Sequence, residues 1–374
     1  MLVQIRKDTL INAVQHVLRA VAVNSPIPIL QGIDIHAGTD GIILTASNIS
    51  MTIQYKIPQD NVSTTVQRAG AVVIPARYFY DVIRKLNNEV VVLELKDKLV
   101  LTVMSGGSRV SLCGMDSTEF PSLNNEELYS KRMQINNLMF RSAIKQVAIV
   151  ASTSETRPVL TGVFFECDND SLNLIATDGI RLAYQNLHNK NSSNDNFKAI
   201  IPAKNLYEIS KMLIDDDVTT EIEVSGNRIQ FKASGLKVQS ALIDGTFPSI
   251  KNVVPKSYLC EILVNRIGLL QAVECVTVLA SESVIKLVAD PNKLKLLSST
   301  AEVGDIENEV SLMEMLGDGF NISLNGKFLI DILRNCDCTS LRLKYAGKNN
   351  PIAVLPNDSG ISTLFLITPI RTHT

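Results

Sequence analysis

Apolar positions recur every three or four residues through DTLINAVQHVLRAV, at Leu10, Ile11, Val14, Val17, Leu18 and Val21, the stripe of a helix that buries one face. The period then shortens. GIDIHAG, GIILTAS and MTIQYKI are β-branched or alternating runs divided by turn residues, and each predicts a strand. The same order starts again with AVVIPA, the helical ARYFYDVIRKL, and the runs VVVLELKDK, LVLTVMSGG and SRVSLCG. Strand, helix and three strands, written twice, predict an α+β fold in which hairpin-linked antiparallel sheet carries two helices on one face.

The pattern also repeats over a longer distance. IPARYFYDVIRKL at 74–86 returns as IPAKNLYEISKML at 201–213 and more faintly as LNGKFLIDILRNC at 324–336. Phe120-Pro121-Ser122 returns as Phe247-Pro248-Ser249, and PILQGIDIHAGTDGIILTAS (28–47) as PVLTGVFFECDNDSLNLIAT (158–177). ESVIKLVADPNKLKLLSST (282–300) keeps two apolar runs around a polar turn. Three tandem copies of one fold, 1–126, 127–253 and 254–374, account for this spacing. The polar stretch NLHNKNSSNDNF (186–197) reads as a loop inside the second copy.

Composition adds bounds. A hydrophobic share of 45% and a charged share of 20% over 374 residues suit a soluble globular chain of several cores. No apolar run approaches the roughly 20 residues of a spanning helix, and MLVQIRKDTL does not read as a signal peptide, so the expected location is the cytoplasm. Cys113, Cys167, Cys260, Cys275, Cys336 and Cys338 form no CxxC pair and read as buried free thiols.

Charge changes the picture more. Arg77 and Arg84 stand seven apart, as do Lys204 and Lys211, and Lys327 and Arg334. Seven residues at 100° return to within about 20° of the start, so each pair shares a helix face. Phe79, Val82, Ile83 and Leu86 take the opposite face of theirs. Asp81, Glu208 and Asp331 follow the first cation of each pair by four residues, a spacing that lets them neutralise it. An ordinary solvated face is therefore one reading. The wider count favours another. Over the six predicted helices (7–20, 75–86, 138–150, 202–213, 265–280 and 326–335) Lys and Arg number 12 and Asp and Glu 5, a net of +7. The whole chain carries −2, so the remainder carries −9. Basic helices over acidic sheets and loops attract phosphates without reading bases.

With these features stand IPILQGI (27–33), STSETRPVLTGV (152–163), ATDGIRLA (176–183), DGTFPSIKNVVP (244–255) and ITPIRT (367–372). On them the chain resembles the bacterial DNA polymerase III beta subunits, the processivity sliding clamps, along essentially its whole length. The resemblance implies three clamp domains and a head-to-tail homodimer closing into a ring around double-stranded DNA, with helices lining the hole and sheets forming the wall. It implies that Arg77, Arg84, Arg141, Lys145, Lys204, Lys211, Lys327 and Arg334 face DNA. At the subunit joint it implies that Val110 and Leu112 meet Val278 and Leu279. It further implies a groove for short extended motifs of the replicative polymerase, clamp loader, repair polymerases and mismatch-repair proteins. Its wall would be Leu160, Thr177, Gly179, Arg181, Leu182, Pro248 and Val253, with Ile352, Leu366, Pro369 and Ile370 from the third domain. The implied work is DNA replication, with no cofactor and no membrane. Three departures bear on it: Asn24-Ser25-Pro26 where the family often has an Arg before PIL, Ile180 where a His often stands, and Thr368 where an apolar residue is common. A paralogous clamp, or a peptide-binding scaffold with altered partners, stays open at this point.

Enzyme chemistry finds little support. His16, His36, His188 and His373 have no metal-ligand spacing with another His, Cys or carboxylate, and Gly106-Gly107 lacks the Lys-Ser or Lys-Thr of a phosphate loop. Asp178 in ATDG reads as a turn residue bonded to nearby backbone. A non-catalytic chain is expected.

Overall fold

Short polar residues set where two of the helices begin. The Asn325 side chain accepts from Lys327 N at 3.0 Å and the Asn265 side chain from Gly268 N at 2.9 Å, each satisfying a first-turn donor that no helical carbonyl can reach. The structure, a computed structural model, describes all residues except 61, 97–98, 122–130, 169–170, 189–194, 214–217, 251, 301, 358–361 and 372–374. Ser122, Thr372, His373 and residues 189–194 of the polar loop expected at 186–197 therefore lie outside the described residues, while 186–188 end β13 and Phe197 opens β14.

The first repeat contains β1 (Leu2–Arg6), α1 (Lys7–Val17), β2 (Gly32–Gly38), β3 (Gly41–Ser47), β4 (Met51–Pro58) and β5 (Thr64–Arg68), then β6 (Gly70–Pro75), α2 (Ala76–Lys85), β7 (Val90–Lys96), β8 (Val100–Ser105) and β9 (Ser108–Cys113). The second contains β10 (Lys131–Asn136), α3 (Asn137–Ala148), β11 (Gly162–Asp168), β12 (Ser171–Thr177), β13 (Arg181–His188), β14 (Phe197–Pro202), α4 (Ala203–Met212), β15 (Thr219–Ser225), β16 (Arg228–Ala233) and β17 (Leu236–Ala241). The third contains β18 (Cys260–Asn265), α5 (Arg266–Thr277), β19 (Val284–Asp290), β20 (Lys293–Thr300), β21 (Gly304–Gly317), β22 (Phe320–Asn325), α6 (Gly326–Asn335), β23 (Ser340–Tyr345), β24 (Ile352–Pro356) and β25 (Ser362–Ile367). All six predicted helices are present, and none among the described residues is long and apolar enough to cross a membrane.

Two elements differ from the predicted order. β5 is an added short strand on β1. It leaves a turn in which Asp60 accepts from the amides of Val62, Ser63 and Thr64 and from the Ser63 hydroxyl, bonds that hold its carboxyl well below the usual range. β21 is one 14-residue strand, pairing β20 along 304–311 and β18 along 312–317.

The sheets do not stop at repeat boundaries. Their strand orders are β5-β1-β7-β8-β9, then β10-β15-β16-β17-β4-β3-β2-β6, then β14-β11-β12-β13-β25-β24-β23-β18-β21-β20-β19-β22. The last strand of the second repeat thus pairs with β4 of the first (Met51 opposite Ser240, Tyr55 opposite Leu236), and the last strand of the third pairs with β13 of the second (Arg181 opposite Ile367, Asn186 opposite Ser362). Contacts accordingly divide the chain into one unit of residues 1–138 and 211–242 and another of 139–210 and 243–374.

The distant echoes prove to be packing units. Phe120 is buried with Ile29, Leu30 and Val73, and Phe247 with Ile175 and Ile200. Behind each Phe-Pro pair the chain adds one backbone bond to the sheet, Met115 N to Val73 O at 2.8 Å and Ile243 N to Ile200 O at 2.8 Å; the third repeat makes the same bond from Ile370 N to Ser323 O, also 2.8 Å. Gly162 lies where a Cβ would meet Ile200 Cγ2 at 2.5 Å, so only glycine lets the strand start this close to its neighbour.

Candidate partner groove and basic helix faces

The 139–210 and 243–374 unit holds an open cavity of about 490 Å³. β13 and β25 build its floor: Leu182 and Leu366 are cross-strand partners and pack together with Ala353. Leu160 comes from the Pro158–Thr161 turn before β11, and Pro248 and Val253 from the segment after β17. Thr177 and Gly179 come from the β12–β13 turn, where Gly179 has φ +93°, a conformation open to glycine at little cost. Of the eleven residues expected in the groove, Leu160, Thr177, Gly179, Arg181, Leu182, Pro248, Val253 and Leu366 line this cavity.

Three do not. Ile352 is core, 1% exposed and opposite Ile367 in the β24–β25 ladder. Ile370 is held against β22 through Ser323 O, and neither it nor Pro369 borders the cavity. The sequence reading missed Val159, Ile250, Pro351 and Arg157 on the rim. Thr246, Ser249, Ile180 (51% exposed) and Thr368 complete the lining, the last two joined by a bond from Thr368 N to Ile180 O of 2.9 Å. Ile180 and Thr368 are both positions at which the sequence departs from the family pattern.

Asp178 does what a turn carboxylate does. Its Oδ1 accepts from Ile180 N and Arg181 N at 2.9 Å each, and its Oδ2 from Arg181 Nε at 3.0 Å. Arg181 continues outward: Nη1 donates to Asp331 at 2.8 Å, Nη2 to Ile149 O at 2.9 Å, and the guanidinium carbon lies 4.3 Å from the Phe328 ring centre. Arg181 lines the cavity, but Asp178, Asp331, Ile149 and Phe328, which engage its guanidinium, do not.

By hairpin register the third repeat's counterparts of Leu160, Leu182, Tyr184 and Ile200 are Glu282, Asp305, Glu307 and Ser323. A cavity of about 550 Å³ lies there too, but lined by these polar groups. The same scaffold position is apolar in one repeat and acidic in the next.

The expected DNA-facing cations divide by exposure. Arg77, Arg84, Lys204, Lys327 and Arg334 are exposed, whereas Arg141, Lys145 and Lys211 are half-buried. Phe79, Ile83 and Leu86 are buried behind α2 as predicted, with Val82 half-buried. The expected i,i+4 neutralisation gives way to other pairs: Asp81 lies 3.7 Å from Arg84 and Asp331 pairs with Arg181, while Arg334 binds Glu274 of α5 at 2.7 Å. Among the described residues Arg77 and Lys327 have no ion-pair partner. Val110 and Leu112 are half-buried on β9, Val278 is 78% exposed just past α5, and Leu279 is half-buried. All six cysteines are free, but only Cys167, Cys260 and Cys336 are buried as expected; Cys338 is half-buried and Cys113 and Cys275 are exposed.

One polar cluster looks catalytic and is not arranged to be. Ser117 Oγ donates to Asp34 Oδ1 at 2.6 Å, and His36 Nε2 lies 2.7 Å from the same hydroxyl and 3.2 Å from Asp34 Oδ2. A nucleophile relay needs the hydroxyl to give its proton to one imidazole nitrogen while the other is oriented by the acid; here one nitrogen meets both groups. Burial pushes the Asp34 carboxyl up. Among the described residues no three His, Cys, Asp or Glu side chains form a metal-binding group.

Three consecutive stretches match family models: residues 1–124 the DNA polymerase III beta subunit N-terminal domain, 134–249 its central domain and 251–369 its C-terminal domain. The chain belongs to the DNA polymerase III beta subunit family. Its three tandem clamp domains follow from that membership and from the fold. It is 33% identical over 377 residues to the beta sliding clamp of Bacillus subtilis, and 31% identical over 380 residues to that of Staphylococcus aureus, covering 99% of both chains in each case. The crystal structure of the Bacillus subtilis DNA polymerase sliding clamp superposes with a TM-score of 0.93 at 32% identity, and the Streptococcus pyogenes beta subunit with 0.93 at 26%, each over the whole of both chains.

Proposed function

We infer that the chain is a DNA polymerase processivity factor, a sliding clamp that closes around double-stranded DNA as a head-to-tail homodimer in the cytoplasm. It tethers the replicative polymerase by topology and has no catalysis or cofactor of its own. Partner proteins (the clamp loader, repair polymerases and mismatch-repair proteins among them) dock short extended segments in the apolar groove around Leu160, Leu182 and Leu366. Exposed cations such as Arg77, Lys204 and Lys327 meet phosphates without sequence preference.

The observation that carries the ring is an unfinished joint. Two of the three repeat-to-repeat ladders, β17 on β4 and β25 on β13, are made within the chain. Among the described residues the third pair of equivalent edges is unpaired: β9 ends its sheet, and residues 304–311 of β21 pair with β20 alone. Transferring the register of the two made joints places Leu112 opposite Gly304, Val110 opposite Ile306, Arg109 opposite Glu307 and Ser108 opposite Asn308 of a second copy. In the made joints the counterparts of Val110 and Ile306 are fully buried: Val238 with Ile53, and Phe365 with Ala183, all 0% exposed. Val110 and Ile306 are only half-buried. A second copy covering them in the same register gives two equal heterologous contacts, and the assembly closes. Retention on nicked circular DNA, lost when the circle is linearised, tests the reading; a protein retained equally on linear DNA does not encircle it.

A further inference from the structure

Two arginines line the groove, Arg157 and Arg181, and they differ: Arg157 is exposed, whereas the Arg181 guanidinium is taken up by residues that do not border the cavity. The Arg181 side chain is 10% exposed, with three directional bonds to Asp178, Asp331 and Ile149 O and one face against Phe328. Arginine has five donors in a rigid fork, so the partners also fix the plane and the direction in which the fork points. Asp178 holds only Nε, and it is the turn's own residue. The far end of the fork is held by the third repeat, through Asp331 and Phe328 of α6, and by the carbonyl of Ile149 beyond α3. Of these, Asp331 alone carries charge, and it is 46% exposed, opening onto solvent on the helix that bears Lys327 and Arg334.

We propose that Asp331 is a positioning residue for the groove: it draws the Arg181 guanidinium away from the slot, so that an arriving peptide does not meet that charge at this wall. The inference rests on the groove being the partner-peptide site. Removing the carboxylate leaves Nη1 without its acceptor in a half-enclosed setting, and the fork gains by turning toward any anion that enters the slot. Groove specificity, not merely groove affinity, is then set from α6. Among the described residues no other acidic side chain lies on Nη1, so the effect belongs to this one residue.

The test uses the full-length protein and two synthetic peptides that differ in one charge. Both are extended and end in Leu-Phe; one has an amidated C terminus and the other a free carboxylate. Their affinities are measured by titration for the wild type, Asp331→Asn and Asp331→Glu. The expected result is that the ratio of carboxylate to amide affinity rises about tenfold in Asp331→Asn, that this preference fades as salt is raised, and that Asp331→Glu stays near the wild-type ratio. A general loosening of the fold weakens both peptides together and leaves the ratio unchanged, and that outcome overturns the proposal. Wild-type protein that binds neither peptide overturns the groove reading itself and this inference with it.

Discussion

Ile306→Ala tests the open joint at its centre. In the derived register Ile306 meets Val110 of the second copy, and the equivalent pairs within the chain are fully buried. Truncating a fully buried Ile to Ala costs about 2–5 kcal/mol. Ile306 already buries most of its surface before association, so at most about a third of that, roughly 0.7–1.7 kcal/mol, belongs to the joint. A head-to-tail dimer has two joints, so the dimer loses about 1.4–3.4 kcal/mol and its dissociation constant rises roughly tenfold to a few hundredfold. Sedimentation velocity across a dilution series reads this directly, with Met313→Ala as control, since Met313 lies on the same strand, 63% exposed, past the proposed register. Ile306→Ala that weakens the dimer no more than Met313→Ala does would refute the joint. The register has its own check: Arg109→Glu and Glu307→Arg each weaken association by like-charge repulsion, and the double exchange restores it.

Leu279→Asp gives monomers at low micromolar concentration if Leu279 is covered in the dimer, because a carboxylate is then buried without a partner; a dimer on a sizing column would show it stays outside. Replacing Arg77, Lys204 and Lys327 together by Glu leaves dimerisation intact but impairs processive synthesis on primed circles, and unimpaired synthesis would remove these helices from the DNA path. Leu366→Ala weakens partner peptides about tenfold or more, as for an anchor pocket worth about 1.4–2 kcal/mol, and an unchanged titration would move the site elsewhere. His16, stacked on Tyr55 at 4.9 Å, has its pKa lowered by burial. The unfolded chain therefore binds a proton that the folded chain resists, and stability falls as pH drops from about 6.5 through the lower folded value. His16→Gln flattens that part of a melting-temperature profile, and an unaltered acid slope assigns it to other groups.

The helices and most strands were legible because their signals are local: a period of 3.6 or 2 is written in the side chains that face the core. β5 was not, since TTVQR alternates weakly and owes its place to β1 and to the Asp60 turn. The length of β21 was not legible either, because its second half is set by pairing with β18, a strand about 50 residues earlier, after its first half has paired with β20. Eight groove residues were reached through the family resemblance, and the misses share a cause. Ile352 sits on a groove strand but points to the core, and Pro369 and Ile370 follow a backbone bond to Ser323 that no local pattern encodes. The partners of Arg181 were hidden for the same reason, as Ile149 and Asp331 lie 32 and 150 residues away.

The ladders that cross repeat boundaries bear on how the chain can be taken apart. Cutting the backbone between the second and third repeats would leave six paired positions between β13 and β25 intact, with Phe365 sealed beneath them. The two pieces would stay together as a nicked protein, and expressed separately each would present a bare edge shaped for the other. Such edges join whatever strand fits. Fragments ending at repeat boundaries are therefore complementing halves that find each other or aggregate, and a stable single piece would have to follow the sheets, taking residues 139–210 together with 243–374.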